Sequence, residues 1–423
     1  MDVFHIEGPV RLEGIVEVNG SKNAALPIMA AAILAPGKSA LTGVPNLSDI
    51  SVCAELLGEL GCKVAREPDG RMTIDAGVVD NPIGEYEIVR RMRASICILG
   101  PLLARCGRAE VSMPGGCAIG DRPVNLHVRG LCALGAQIHL KNGYIIADAP
   151  NGLRGAEIFL GGPFGSTVLG TANVLMAATL AKGRTVIESA ACEPEIADLA
   201  NFLNEMGARI SGIGSPRLVI EGVDELRAVE HQVIPDRIEA GTFMAAAGIT
   251  SGELHLDRCR LEDMMAVVHK LRSMGVTVEP EGAGCVVAHE GPIKPADITT
   301  QPYPGFPTDL QAQFMALLSL ADGNSIVIEK VFPDRFMHVA EMNRMAANLR
   351  KEGPAVIVAG VKKLVAAPVM ASDLRASAAL VVAGLASEGT TTINRVYHID
   401  RGYERIEERL NPLGAKILRE NIQ

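Results

Sequence analysis

Residues 23–64, NAALPIMAAAILAPGKSALTGVPNLSDISVCAELLGELGCKV, carry the pattern that decides the fold. An apolar helix ends at a glycine and is followed by a short strand, a loop, an amphipathic helix and a Leu-Gly-Cys turn into another strand. The first helix is apolar on nearly every side, which predicts burial, whereas the second carries charge on one face. We interpret this order of elements as a repeating module.

The same order of elements occurs six times along the chain. Each copy has a tight turn before its closing strand, and successive turns are 68 to 74 residues apart. The turn positions are Gly61, Gly135, Gly207, Gly275, Ala346 and Gly414. Self-similarity at a fixed period indicates the architecture before any local assignment. Repeats of about 70 residues are longer than those of open solenoids, so two globular domains of three repeats each are expected.

The predicted fold class is α/β, with the apolar helices buried inside each domain and the sheets outside. The sixth repeat runs out soon after Leu418, and residues 3–18 alternate apolar and polar side chains without belonging to a complete repeat. We therefore expect residues 3–18 to close the last repeat. The first domain would be 21–233 and the second 1–20 plus 234–423. The chain would cross between the domains twice, which predicts a hinge.

Composition places the protein among globular chains. Hydrophobic residues make up 48% and charged residues 21%, while Trp is absent and aromatic residues total 3%, so small aliphatic side chains must build the core. The net charge of −9 argues against nucleic-acid binding, which needs a basic face. Any anionic substrate must be held by a local cluster of cations.

Cysteine usage and hydropathy predict a cytoplasmic protein. The nine cysteines are scattered without the spacing of a zinc site, which fits a reducing compartment. The longest apolar run is about a dozen residues, whereas a membrane-spanning helix needs about 20. The first residues lack the charge pattern of a signal peptide. No membrane partner and no metal are expected, and the oligomeric state is left open, with a monomer compatible with the sequence.

One loop carries a single thiol in a glycine-rich setting. Residues 111–126 read VSMPGGCAIGDRPVNL, with Cys117 between glycines and Arg122 before a proline. Glycine allows the backbone to turn tightly, and a neighbouring cation favours the reactive thiolate. Cys117 is therefore the first candidate for chemistry. The alternative interpretation is an unreactive cysteine in a surface turn.

Charged and small polar residues gather where the apolar helices begin. Helix N-termini present unpaired amide donors and partial positive charge, and they attract phosphate or carboxylate. The cations near these ends or on the connecting loops are Lys22, Arg93, Arg122, Arg237, Arg335, Arg375 and Arg401. Their repetition predicts a binding region for a multiply anionic ligand. The alternative is that they satisfy helix ends and surface ion pairs.

The same loops supply candidates for a general acid or base. They are Asp236, Asp309, Asp373, Glu193 and Glu195. A base role requires burial or a specific hydrogen-bond environment, because an isolated carboxylate titrates far below neutral pH. Asp309 is preferred because it opens a buried helix and no basic residue adjoins it in sequence. Helix capping is the alternative role.

Six motifs resemble those of a known family. In chain order they are SKNAALPIMAA, VSMPGGCAIGDRPVNLHVRGL, FPTDLQAQF, FMHVAEM, DLRASAALVVAG and YHIDRGYERIE. Across essentially the whole chain they resemble the UDP-N-acetylglucosamine 1-carboxyvinyltransferases of the EPSP synthase superfamily. The resemblance implies two inside-out α/β barrel domains. It also implies transfer of the enolpyruvyl group of phosphoenolpyruvate to the 3′-hydroxyl of UDP-N-acetylglucosamine, without a cofactor, in the first committed step of peptidoglycan synthesis.

The resemblance assigns roles to individual residues. Lys22 and Arg122 match ligands of the phosphoenolpyruvate phosphate, Arg401 matches its carboxylate ligand, Cys117 matches the family's reactive thiol, and Asp309 would accept the 3′-hydroxyl proton. The remaining expected substrate contacts are Asn23, Arg93, Pro123, Val124, Asn125, Leu126, Phe164, Gly165, Val331, Arg335, Asp373 and Arg375. The chain departs from the family pattern at Asn125, at Cys97 and at 163–165, which are positions that bear on nucleotide binding.

Other functions stay open at this point. A thiol-dependent hydrolase is disfavoured because no His and Asn partners fall at repeat-equivalent loops beside Cys117. Another enolpyruvyl transferase of the same fold, or a binding protein for nucleotide sugars that does not turn them over, would share the same cations.

Overall fold

A computed structural model describes residues 2–114 and 124–421. These residues form two compact units, each with its own hydrophobic core. The first unit contains residues 20–114 and 124–234, and the second contains residues 2–19 and 235–421. Within both described ranges, no helix has the length and apolar character needed to cross a membrane.

The secondary structure alternates short helices and strands throughout. The α-helices are α1 (Lys22–Ala31), α2 (Ser48–Glu59), α3 (Tyr86–Val89), α4 (Leu99–Cys106), α5 (Asn125–Ala133), α6 (Val168–Ala178), α7 (Pro194–Glu205), α8 (Arg237–Ile249), α9 (Met265–Ser273), α10 (Gln311–Leu318), α11 (His338–Arg344), α12 (Leu374–Ala386) and α13 (Ile406–Leu410). Short 3-10 helices are Ala32–Leu34, Arg93–Ile98, Leu261–Met264, Thr308–Leu310, Val396–Arg401 and Asn411–Leu413.

The strands are β1 (Asp2–Gly8), β2 (Glu13–Glu17), β3 (Lys38–Thr42), β4 (Lys63–Arg66), β5 (Met72–Asp75), β6 (Ile83–Gly84), β7 (Arg108–Ser112), β8 (Gln137–Lys141), β9 (Tyr144–Asp148), β10 (Glu157–Phe159), β11 (Arg184–Glu188), β12 (Arg209–Ser211), β13 (Arg217–Glu221), β14 (Glu230–Gln232), β15 (Glu253–Asp257), β16 (Thr277–Glu281), β17 (Gly284–Ala288), β18 (Ile298–Thr299), β19 (Asn324–Ile328), β20 (Asn348–Glu352), β21 (Ala355–Ala359), β22 (Leu364–Val365), β23 (Pro368–Met370), β24 (Ser387–Asn394) and β25 (Ile417–Asn421).

The sheets repeat one pairing pattern. The described strands form the sheets β14-β3-β5-β4, β6-β7-β9-β8 and β10-β11-β13-β12 in the first unit, and β2-β15-β17-β16, β18-β19-β21-β20 and β22-β24-β1-β25 in the second, where β23 also pairs with β24. In each sheet the first-named strand runs parallel to its neighbour and the later pairs are antiparallel. Three equivalent sheets in each unit confirm the predicted fold class.

The amino-terminal segment contributes one strand to each of two different sheets. β1 lies between β24 and β25 and completes the sixth repeat, as expected. The expectation that residues 3–18 all close this repeat is wrong for their second half, because β2 pairs with β15 in the fourth-repeat sheet. The chain also retains a closing strand, β25, in its sixth repeat. Pro9 follows β1 directly, and a proline has no N–H to continue the ladder.

The first helix of each repeat is largely buried, as its sequence predicts. In the second unit α8, α10 and α12 pack against one another, and every residue of α10 is buried. In the first unit α4 packs against α6. Gly100 allows this close approach, because a Cβ there would lie 2.2 Å from the Asn173 carbonyl oxygen. Small residues therefore take the place of aromatic ones in packing the core.

The turns before the closing strands explain the repeated glycine. The glycines at these turns have φ from 91° to 107°, a region that side chains avoid. Ala346 occupies the equivalent turn in the fifth repeat at φ 64°, in the left-handed region. The sequence spacing therefore reflects a recurrent backbone conformation.

A buried carboxylate lies beside one of the chain crossings. Glu239 of α8 is 3% exposed and accepts hydrogen bonds from the Asn19 backbone N (2.7 Å) and side-chain Nδ2 (3.3 Å). The guanidinium of Arg409 also contacts it. Burial raises the pKa of Glu239 to about 7, although the Arg409 charge opposes the shift.

This raised pKa predicts a pH-dependent stability. An unfolded glutamate titrates near pH 4.3, so the folded protein holds a proton between about pH 4.3 and 7 that the unfolded chain releases. The contribution of Glu239 is therefore fully present below pH 4.3 and is lost as the pH rises through 7. Glu239→Gln should remove this dependence. Chemical denaturation gives the free energy of unfolding of the variant and of the wild type, and the difference between the two should change by about 3 kcal/mol from pH 5 to pH 8. A pH-independent difference would contradict the assignment.

Candidate active site

Lys22 begins the first apolar helix in a buried setting. Ser21 caps α1 by accepting a hydrogen bond from the Ala24 backbone N at 3.3 Å. The Lys22 side chain is 8% exposed, and its Nζ lies 3.1 Å from Oδ2 of Asp49, whose side chain is 6% exposed. The Lys22 charge is therefore buried and paired with a carboxylate of the same unit. Sequence reasoning did not select Asp49, although its place in the first turn of the charged helix α2 was visible.

A neutral histidine lies close to Arg93 in the same unit. The side-chain oxygen of Asn173 accepts a hydrogen bond from the Gly100 backbone N at 2.7 Å, which orients its amide. Asn173 Nδ2 therefore donates to His127 Nδ1 at 2.9 Å and leaves the ring proton on Nε2. Burial, assisted by the Arg93 charge, lowers the pKa of His127 to about 4. Neither His127 nor Asn173 was predicted from sequence, because an isolated His on a helix is usually structural.

The other predicted residues of the first unit fall on helix ends and one turn. Asn23 is half-buried on α1, Val124 is buried just before α5, and Asn125 and Leu126 begin α5. Gly165 and Gly162 exchange backbone hydrogen bonds of 2.8 and 3.1 Å, so the turn between them is closed. Phe164 is 57% exposed at this turn. Cys117, Arg122 and Pro123 lie outside the described residues.

In the second unit two arginines converge on Asp309. Oδ1 of Asp309 lies 2.7 Å from Arg335 Nη1, and Oδ2 lies 3.0 Å from Arg375 Nη2. The arginine side chains are 7% and 3% exposed, whereas that of Asp309 is 27% exposed. The carboxylate is thus the most accessible part of a largely buried ion triad. The structure brings together three predicted residues that belong to two different repeats.

The two guanidiniums determine the charge state of Asp309. Burial alone would raise the pKa of this carboxyl, but the charges of Arg375 and Arg335 outweigh burial and hold the pKa well below its ordinary value. Asp309 is therefore ionised at neutral pH. The reason given for preferring it, that no basic residue adjoins it in sequence, does not describe its surroundings in the fold.

A buried hydrogen-bond network supports this triad. Arg375 Nη1 donates to the Tyr403 hydroxyl at 3.1 Å, and this hydroxyl lies 2.8 Å from Thr242 Oγ1. Gln313 Nε2 lies within 3.2 Å of both hydroxyl oxygens and 3.0 Å from the Asp309 carbonyl. Thr242 also donates to a backbone carbonyl of α8, so Tyr403 must donate to Thr242. This network fixes Arg375 against Asp309.

Arg401 follows a residue that is firmly anchored. Asp400 accepts two hydrogen bonds from Arg419 of β25, at 2.6 and 3.0 Å. Arg419 also donates to Glu407 at 2.7 Å. Arg401 itself is half-buried at the end of its 3-10 helix. Burial lowers the pKa of His398, and the Arg401 charge lowers it further. Strand β25 therefore helps to hold the segment that carries Arg401.

Asp373 and Val331 have defined structural roles. The side chain of Asp373 caps α12 by accepting hydrogen bonds from the backbone N of Arg375 (2.9 Å) and Ala376 (3.1 Å). The capping alternative therefore describes its present contacts. Val331 is half-buried, and its backbone N donates to Glu329 at 2.8 Å.

Residues 2–114 and 124–421 contain no cluster of metal-ligating side chains. No group of three or more His, Cys, Asp or Glu side chains in these ranges could hold a metal ion.

Comparisons with known proteins cover nearly the whole chain. The family described as EPSP synthase (3-phosphoshikimate 1-carboxyvinyltransferase) matches residues 6–410. Proteins named UDP-N-acetylglucosamine 1-carboxyvinyltransferase from Methylacidiphilum infernorum and Desulfovibrio desulfuricans are 52% and 53% identical to it. These alignments span 99% of this chain, and 99% and 100% of the relatives. The chain belongs to the UDP-N-acetylglucosamine 1-carboxyvinyltransferases. The resemblance inferred from six motifs is confirmed.

Solved structures agree on the fold of this carboxyvinyltransferase family member. The enolpyruvyl transferase NikO from Streptomyces tendae aligns over 100% of this chain and 99% of its own, with a TM-score of 0.89 and 25% identity. An EPSP synthase from Acinetobacter baumannii aligns over 100% of both chains, with a TM-score of 0.77 and 20% identity, which supports the fold alone. The prediction of inside-out α/β domains is confirmed.

Proposed function

We propose that the protein transfers the enolpyruvyl group of phosphoenolpyruvate to the 3′-hydroxyl of UDP-N-acetylglucosamine and releases phosphate. The observation that carries this proposal is the sequence identity of 52% and 53%, over 99% of this chain, to proteins named for that activity. The ionised Asp309 between two arginines supplies a candidate proton acceptor. The reaction would be the first committed step of peptidoglycan synthesis, and its substrates would place the enzyme in the cytoplasm.

The proposed chemistry is an addition followed by an elimination. C3 of phosphoenolpyruvate gains a proton, the sugar oxygen bonds to C2, and Asp309 receives the proton of the sugar hydroxyl. The resulting tetrahedral intermediate then loses phosphate from C2 and a proton from C3. Lys22 and Arg122 would bind the phosphate and Arg401 the carboxylate, since guanidinium and ammonium groups stabilise developing negative charge.

The low pKa of Asp309 constrains when the hydroxyl proton moves. A strongly stabilised carboxylate is a weak base toward a neutral alcohol. The hydroxyl becomes acidic only as its oxygen donates electrons to C2 and acquires positive charge. Transfer to Asp309 is therefore expected late in bond formation, with Arg335 and Arg375 fixing the direction of the accepting oxygen.

A two-substrate assay tests the function. Inorganic phosphate should appear when phosphoenolpyruvate and UDP-N-acetylglucosamine are mixed with the protein and should not appear with either alone. Release from phosphoenolpyruvate alone would indicate a phosphatase. Binding of the nucleotide sugar without phosphate release would indicate a binding protein that has lost turnover.

Selective alkylation tests the role of Cys117. The epoxide fosfomycin resembles phosphoenolpyruvate and should label Cys117 before the other eight cysteines, of which Cys106 and Cys132 are exposed. Burial raises the pKa of both competing thiols, which lowers their thiolate fraction. Cys106→Ser and Cys132→Ser should leave the labelling unchanged, whereas Cys117→Ser should abolish it. Peptide mass mapping that found label mainly on Cys106 or Cys132 would refute the assignment.

A further inference from the structure

Glu329 is a buried carboxylate that sequence analysis did not select. It follows β19 and is 0% exposed. Its Oε1 accepts hydrogen bonds from Thr300 Oγ1 (2.6 Å) and from the backbone N of Val331 (2.8 Å) and Phe332 (2.9 Å). Its Oε2 accepts from Thr308 Oγ1 at 2.9 Å. The Glu329 side chain thus binds the backbone of Val331 and Phe332 and the side chain of Thr308, which precedes Asp309 in sequence.

A directed chain of hydrogen bonds leads from Glu329 to Asp309. Nη1 of Arg335 lies 3.0 Å from Thr308 Oγ1 and 2.7 Å from Asp309 Oδ1. A guanidinium only donates hydrogen bonds, so Thr308 Oγ1 accepts from Arg335 and directs its own proton to Glu329. Glu329 therefore sets the orientation of the Thr308 hydroxyl, and this hydroxyl holds the guanidinium that contacts Asp309.

We propose that Glu329 is a positioning residue for the reaction, acting through Thr308 and Arg335 on the proton acceptor Asp309. The inference rests on the proposed function only in naming the reaction, since the chain of contacts is independent of it. By binding two backbone amides, Glu329 also holds the segment of Val331, the predicted contact for the nucleotide sugar. A purely structural role predicts lower stability with unchanged turnover, whereas a positioning role predicts a specific loss of kcat.

Glu329→Gln tests whether the direction of these hydrogen bonds matters for the reaction. The amide keeps the shape of the side chain, but its nitrogen would face Thr308 Oγ1 as a donor and leave the Thr308 proton without its acceptor. We expect kcat to fall about 10- to 100-fold, as when a reacting group is slightly misplaced. KM for phosphoenolpyruvate should stay within about twofold, because Lys22, Arg122 and Arg401, the groups assigned to binding it, are unchanged.

Variants at Thr308 test the same chain without changing the carboxylate. Thr308→Val should lower kcat to a similar extent, and Thr308→Ser, which keeps the hydroxyl, should retain it. The double variant of Glu329→Gln and Thr308→Val should have a kcat only slightly below that of the less active single variant, because both changes interrupt the same hydrogen-bond chain. Additive losses, or a kcat of Glu329→Gln within twofold of wild type, would overturn the proposal. If Glu329→Gln does not fold, the two Thr308 variants decide alone.

A control and a second measurement separate this proposal from the function itself. Ser325 lies on β19 and accepts a hydrogen bond from the Ala296 backbone N at 3.0 Å, away from Asp309 along the strand. Ser325→Ala should lower stability and leave kcat unchanged. Hydrogen exchange of the peptide containing Thr308 and Asp309 should accelerate in Glu329→Gln but not in Ser325→Ala. Unchanged exchange would overturn the positioning role, whereas accelerated exchange in a protein that releases no phosphate would place the failure in the proposed function.

Discussion

Asp309→Asn should lower turnover about 10³- to 10⁴-fold, near the upper end of what a positioned general base contributes. The amide has almost the shape of the carboxylate but cannot accept the hydroxyl proton. It also removes the negative charge that Arg335 and Arg375 contact at 2.7 and 3.0 Å. A folded protein with nearly normal substrate binding and very slow phosphate release is the expected phenotype.

A matched carboxylate variant provides the control for Asp309. The Asp297 side chain is in the same repeat and accepts a hydrogen bond from the Ile326 backbone N at 2.8 Å. Asp297→Asn should leave kcat unchanged. Loss of a buried partner should also cost Asp309→Asn about 3 kcal/mol of unfolding free energy, so folding must be verified before kinetics. Near-normal kcat in folded Asp309→Asn would refute its role as proton acceptor.

Lys22→Met should lower turnover about 10²- to 10³-fold by removing a cation assigned to the phosphate of phosphoenolpyruvate. The structure adds a second effect, because Lys22 forms a buried ion pair with Asp49 at 3.1 Å. Removing one partner of a buried pair costs about 3 to 5 kcal/mol of stability.

The double variant of Lys22→Met and Asp49→Asn separates the two effects. Removing both charges should restore much of the thermal stability, because no buried carboxylate then loses its lysine partner. Turnover should stay low, because the cation for the phosphate is still absent. Recovery of turnover together with stability would show that Lys22 serves the fold alone.

Much of the architecture could be predicted from local sequence. Three features recur at one period: the glycine turns, the apolar first helices and the charged second helices. Each of them depends on backbone conformation or on the hydrophobic pattern within a short stretch of sequence. The division of residues 3–18 between two sheets could not be predicted in this way. Both halves alternate like strands, and only their long-range partners, β24 with β25 and β15, distinguish them.

For the candidate site, too, local sequence predicts some features and long-range packing decides the others. Asp309, Arg335 and Arg375 could each be selected from sequence, because charged residues at the start of oily helices are locally conspicuous. Their union in one ion triad, with Arg375 66 positions from Asp309, is a property of the tertiary structure. So are the burial of Lys22 and the low pKa of Asp309. Local sequence thus determined which side chains are available, and packing of distant repeats decided their charges and partners, because electrostatic energies depend on distance and burial in the folded chain.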